Sequence, residues 1–334
     1  MAMGENKVNR IEWIDLAKGI GMTLILLGHF RELLRLVENG HEYDPTLLFT
    51  MPLFYMQSGL FFKTYNGLFS FLRRKFSNLL YPYILLLIIG HFCEFLYSAP
   101  NWFLFSLFVN NLVGYGILFV IQRLFKGRSM YAALLIVSII LSYIAYNCHI
   151  DQSINSLLIS KHIGFCESAV VGLPFFMVGY TISNTTDFIS VIRGRNIRDI
   201  VIGILCIVLV LFISWLYGWA DATYYKNLYD VPFTLTLLSG AVGAMGTFLL
   251  SRQIVRLPII SYFGRYSIIV LTTHMIIINM VRQCVNIFFG ADYPLWYALP
   301  MIIAILLAEI VVVELFRRYL PFIYSLSSFS HHRK

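Results

Sequence analysis

The chain has 334 residues, of which 59% are hydrophobic and 13% charged, and its net charge is +8. Soluble domains carry roughly 25% charged residues, so a soluble fold of this length would lack the polar groups to cover its surface. That balance argues against disorder, a disulfide scaffold or a cytosolic globular enzyme, and for an all-α, polytopic integral membrane protein.

A bilayer core takes about 20 apolar residues per helix. Ten such segments are expected, at roughly 13–36, 45–62, 78–97, 101–122, 129–149, 162–183, 199–219, 230–250, 258–280 and 295–316. They leave only short loops, so residues 1–334 read as one transmembrane domain. The first segment follows Lys7 and Arg10 as a signal peptide would. It is too long for one, contains Asp15 and Lys18, and lacks a small-residue cleavage site, so it is expected to be retained.

The basic residues orient the chain. With the amino terminus inside, eighteen fall on inner loops and tails: Lys7, Arg10, Lys63, Arg73, Arg74, Lys75, Arg123, Lys126, Arg128, Arg193, Arg195, Arg198, Arg252, Arg256, Arg317, Arg318, Arg333 and Lys334. Three fall outside: Lys161, Lys226 and Arg282. The bias predicts both termini in the cytoplasm and explains the positive charge without nucleic acid. The five cysteines (Cys93, Cys148, Cys166, Cys206 and Cys284) have no metal or redox spacing and read as packing residues.

Ionisable groups within spans are costly and point to function. In the first span Lys18 and His29 are eleven residues apart, which at 100° per residue is about 20° past three turns, with an axial separation of about 16 Å. One helix face is therefore expected to carry Asp15, Lys18, Met22, Ile25 and His29. A snorkelling Lys18 paired with Asp15, and a structural His29, are the plain alternatives. In the second span, Gln57-Ser58-Gly59 either lines a cavity or closes a helix contact through small residues. The next inner loop carries Arg73-Arg74-Lys75, a cluster suited to phosphate and equally to the positive-inside rule.

His91 and Glu94 lie near the outer end of the third span and Glu167 near that of the sixth. The ninth holds Tyr262-Phe263-Gly264-Arg265-Tyr266-Ser267 and, sixteen residues past Pro258, His274. His29 is likewise sixteen residues past Trp13, so the two imidazoles are expected at similar depth and suggest a shared polar cavity. A hydrogen bond from His274 to a neighbouring helix is the alternative. In the tenth span Glu309 is central, and Glu314 is placed to pair with Arg317 or Arg318.

The ordered set of motifs resembles the acyltransferase-3 family of integral-membrane acyltransferases, many of which O-acetylate bacterial surface polysaccharides. Ile14 to Ile20 with Leu27-Gly28-His29 resembles its opening motif, and Met51-Pro52-Leu53-Phe54-Tyr55-Met56-Gln57-Ser58-Gly59 its second-span signature. Arg73-Arg74-Lys75 with Leu80-Tyr81-Pro82-Tyr83, Asn101-Trp102-Phe103-Leu104, Pro174 to Tyr180, and Gly264-Arg265-Tyr266-Ser267 with His274 are similar to later ones. Two departures stand out: Lys18 occupies a position often held by arginine, and the fused extracytoplasmic domain of some members is not seen.

The resemblance implies acyl transfer from cytoplasmic acyl-CoA, most often acetyl-CoA, to a hydroxyl of a surface polysaccharide or lipid-linked sugar at the bacterial inner membrane. It implies His29 and Lys18 as catalytic residues. Donor binding falls to Lys18, Arg73, Arg74 and Lys75, and further cavity candidates are Asp15, Gln57, Ser58, Trp102, Arg265 and His274. No metal is suggested. A glycan transporter or flippase is the rival reading, against which stands the lack of paired Gly/Pro-broken helices in corresponding halves of the sequence. A non-catalytic sensor of acyl-CoA or lipid is a third.

Overall fold

A computed structural model describes residues 11–33, 44–85, 102–147, 158–189, 196–224, 227–289 and 297–320. Its helices are α1 (Glu12–Leu33), α2 (Leu47–Leu60), α3 (Leu68–Lys75), α4 (Trp102–Leu124), α5 (Arg128–Asn147), α6 (Leu158–Val171), α7 (Leu173–Thr185), α8 (Ile197–Leu216), α9 (Phe233–Ile254), α10 (Pro258–Arg265), α11 (Ser267–Phe289) and α12 (Ala298–Tyr319). Among the described residues seven helices are long and apolar enough to cross a membrane, or up to eight if the bent pair α6–α7 is one span. The chain is an all-α, multi-pass membrane protein.

The outward faces confirm the apolar surroundings. On α12, Leu299, Ile303, Leu307, Val311 and Leu315 are exposed, while Met301, Ile305, Glu309 and Val313 are buried. Each set steps by four residues, so each forms one stripe, the first toward lipid and the second toward the bundle. Glu309 is tolerated because it lies on the bundle stripe, where Thr273 Oγ1 donates to its Oε2 at 3.0 Å. α8 likewise exposes Val201, Ile204, Leu205, Val208 and Phe212. Its start is capped by Asn196, whose Oδ1 accepts from Arg198 N at 3.0 Å.

Lipid tails are as apolar as leucine, so helices here associate through close packing at small residues. Gly59 and Gly179 bring α2 and α7 together, since a Cβ on Gly59 would strike the carbonyl of Phe176 and one on Gly179 that of Met56. A second backbone contact joins α1 and α10: a Cβ on Gly19 would strike the carbonyl of Ile260, and one on Gly264 that of Asp15. These two crossings hold α1 and α2 in fixed rotation about the space between them.

Three expectations need correction. The segment expected as one span at 162–183 is broken, because α6 and α7 meet at a 44° bend. Pro174 stands in the first turn of α7 and has no N–H to continue α6, and Gly172 lets the bend pack against the Tyr55 ring. The span expected at 258–280 divides at Tyr266 into α10 and α11. Between α8 and α9 there is also a two-stranded antiparallel hairpin, β1 (Ala222–Thr223) with β2 (Leu228–Tyr229). Residues 86–97 of the expected third span, with His91 and Glu94, lie outside the described residues.

Candidate active site

α1, α2, α4 and α11 enclose a cavity of about 360 Å³. α1 contributes Lys18, Met22 and Ile25, at steps of four and three that keep them on one helix face. α2 contributes Phe54, Gln57, Ser58 and Phe61; α4 contributes Phe103, Leu104 and Leu107; α11 contributes Ser267, Ile268 and Leu271. Tyr65, Lys75, Asn78 and Leu79, from the segment after α2, complete the lining. Phe61 and Asn78 are exposed, whereas Ile25, Leu104 and Leu271 are buried. The cavity thus opens beside Phe61 and Asn78 and closes at Ile25, Leu104 and Leu271.

Both cations of the lining lie toward the open end. The Lys18 ammonium is 5.8 Å from the centroid of the Phe61 ring. The Lys75 ammonium is 5.7 Å from that of Phe62 and 5.8 Å from that of Phe71. Burial against these rings lowers the Lys75 pKa to about 8. Arg73 and Arg74 are exposed and do not line the cavity. Arg74 instead stacks on Tyr65, 4.9 Å from its centroid, and so stiffens a lining residue from behind.

One turn past the closed end stand His29 and His274. They follow Ile25 and Leu271 on their own helices, and their ring centroids are 5.3 Å apart with the planes tilted by 34°. His274 is fully buried, and its Nδ1 is 2.9 Å from the carbonyl oxygen of Val270. A carbonyl only accepts, so Nδ1 carries the hydrogen and Nε2 presents its lone pair. Among the described residues, His274 Nε2 has no hydrogen-bond partner.

Asp15 and Arg265 face one another rather than the cavity. Arg265 Nε is 3.8 Å from Asp15 Oδ2, and its Nη2 is 3.2 Å from Glu12 Oε1. The guanidinium therefore ties α10 to the first turn of α1. Trp102 packs edge-on to Phe103 and beside Phe165, one layer behind the lining. Glu314 accepts from Arg317 Nη2 at 2.7 Å and from Tyr262 Oη at 2.7 Å, and Glu167 accepts from Asn227 Nδ2 at 2.9 Å.

Three neighbours of the site escaped the sequence reading. Tyr65 lines the cavity from the loop after α2, and Asn78 from the first position of the expected third span. Asp44 is buried beside the histidine end: its Oδ1 accepts from Thr46 N at 3.0 Å and from Thr46 Oγ1 at 2.7 Å. A Cβ on Gly28 would lie 3.0 Å from Asp44 Oδ2. A buried carboxylate before a short helix leaves no mark in hydropathy.

The fold and cavity define a multi-pass helical membrane protein with a cationic entrance and an imidazole pair, His274 buried and His29 half-buried. A family model described as an acyltransferase domain matches residues 11–313. The chain belongs to the acyltransferase-3 family, and so to the membrane acyltransferases. No curated protein and no solved structure matches it.

Proposed function

We propose that the chain is an O-acyltransferase that moves an acyl group, most often acetyl, from cytoplasmic acyl-CoA to a hydroxyl of a surface polysaccharide or lipid-linked sugar. The observation that carries this reading is the cavity running from Lys18 and Lys75 to within one turn, about 6 Å, of His29 and His274. In this reading ten spans place both termini and the cavity mouth on the cytoplasmic side of the bacterial inner membrane, within a single domain.

A volume of about 360 Å³ suits a narrow arm rather than a whole coenzyme. The nucleotide of the donor stays at the mouth, its phosphates drawn to Lys75 and Lys18 with Arg73 and Arg74 nearby. The thioester is carried inward along the Met22 and Ile25 stripe toward the histidines. His29 is the catalytic base in this scheme, and His274 Nε2 is the second proton acceptor beside it. The imidazole takes the proton of the acceptor hydroxyl as its oxygen attacks the thioester carbonyl. The carbon–sulfur bond breaks, coenzyme A leaves as thiolate, and the same proton neutralises it. A thioester is already activated, so positioning and proton transfer are the protein's main tasks.

The 44° break between α6 and α7 favours a second reading, transport of a glycan intermediate without chemistry. Membranes containing the protein, supplied with labelled acetyl-CoA, separate the two. Acyl transfer, or protein-dependent thioester hydrolysis, supports the enzyme; glycan movement with neither supports the transporter. Mass spectrometry of surface glycans from cells with and without the protein identifies the acceptor.

A further inference from the structure

Gln57 presents an unused amide to the cavity. The residue is 2% exposed and contributes to the lining. Neither its Nε2 nor its Oε1 has a hydrogen-bond partner among the described residues. Its neighbour Ser58 differs, because Ser58 Oγ accepts from Asn111 Nδ2 at 3.2 Å. The Gly59–Phe176 crossing fixes the rotation of α2, so Gln57 cannot turn away from the cavity without parting two backbones. Buried polar groups are almost always paired, and an orphaned donor and acceptor on one side chain call for a ligand that supplies both.

We propose that Gln57 recognises an amide of the donor's pantetheine arm, a subsite that rests on the acyl-CoA reading above. Gln57 Nε2 donates to the arm's amide carbonyl, and Gln57 Oε1 accepts from an amide N–H of the arm. A phosphate would satisfy the donor and leave Oε1 unpaired. A sugar ring would satisfy both, but would bury its remaining hydroxyls against Met22, Phe54, Phe103 and Leu107. Pantetheine alternates methylenes with amides, which matches an amide side chain set among Met22, Phe54, Phe103 and Leu107. The position agrees, since Gln57 lies between the cations at the mouth and the closed end at Ile25.

The test compares binding of coenzyme A with binding of 3′-phospho-ADP, its nucleotide half, to the full-length protein in detergent or nanodiscs. The expected result for Gln57→Leu is a loss of coenzyme A affinity of about tenfold, with 3′-phospho-ADP affinity unchanged. Gln57→Asn keeps the amide but sets it back by one methylene, and should show a smaller loss confined to coenzyme A. It also provides the readout if Gln57→Leu does not fold. Wild-type coenzyme A affinity in either folded variant, or equal loss for both ligands, overturns the subsite while leaving the donor reading intact. Wild-type protein that binds neither ligand overturns the donor reading and this subsite with it.

Discussion

Arg265 is bound to two carboxylates of α1, with its Nη2 3.2 Å from Glu12 Oε1 and its Nε 3.8 Å from Asp15 Oδ2. The contact depends on Gly264, whose missing side chain lets α10 rest directly on the backbone of α1 at Asp15. Asp15 is 6% exposed, so loss of the guanidinium removes a cation that faces a buried carboxylate. Arg265→Ala should destabilise the folded protein by about 1–3 kcal/mol, less than a fully buried pair because a third of the Arg265 side chain is open. Combining it with Asp15→Asn should recover part of the loss. Melting midpoints of the single and double variants in detergent check both statements, and equal midpoints throughout would show the pair to be inert.

Gly264→Ala should cost at least as much by a different route, since its Cβ has no space beside the Asp15 carbonyl. Overpacking costs about 1–3 kcal/mol. A lowered melting midpoint that Asp15→Asn does not relieve is the expected signature, because the clash is with backbone.

Which parts of this were legible follows from what each depends on. The Lys18, Met22, Ile25 face could be read from helical period alone, because α1 is regular through those positions. The level match of His29 and His274, whose ring centroids are 5.3 Å apart, could be read by counting from each span's start. That Arg265 is a partner of Asp15 was not legible. Arg265 is 250 residues away in sequence and is brought in by a tertiary crossing that only Gly19 and Gly264 permit. The bend at Gly172 was marked by Gly172-Leu173-Pro174, but hydropathy runs through it unbroken. Arg73, Arg74 and Lys75 are equivalent in a charge count, and only packing against Phe62 and Phe71 distinguishes Lys75.

That distinction sets the next expectation. Lys75→Ala should raise the donor KM more than Arg73→Ala or Arg74→Ala, with kcat at saturating donor little changed, as for contacts made equally in ground and transition states. Lys18→Ala should lower both donor affinity and rate, and Lys18→Arg should keep much of each because charge is retained. Steady-state kinetics in native membranes decides. The largest KM change at Arg73 would remove Lys75 from the donor path.

Lys75 also predicts a pH dependence. With its pKa lowered to about 8, the side chain is cationic at neutral pH and loses its proton as pH rises through that value. The donor's phosphates stay ionised over the same range, so donor affinity should fall above about pH 8. The decline approaches tenfold per pH unit where binding requires uptake of one proton. Lys75→Arg keeps its charge throughout and should flatten the profile. An unchanged profile in Lys75→Arg would assign the dependence to another group.

In the proposed scheme the histidine pair carries the chemistry, and its two members can be tested separately. His29→Ala removes a proton acceptor and should lower acyl transfer by at least about 10²-fold, the usual lower bound for a general base, while coenzyme A still binds at the cavity mouth. At His274 the informative change is to asparagine. Its Nδ2 can still donate to the Val270 carbonyl, preserving the bond that His274 Nδ1 makes at 2.9 Å, but it offers no base where Nε2 stood. His274→Asn should therefore fold with a melting midpoint near wild type and lose transfer to a similar degree as His29→Ala. Full transfer by His274→Asn would assign His274 a purely structural role. Full transfer by well-folded His29→Ala would defeat the catalytic scheme and bring the transport reading forward.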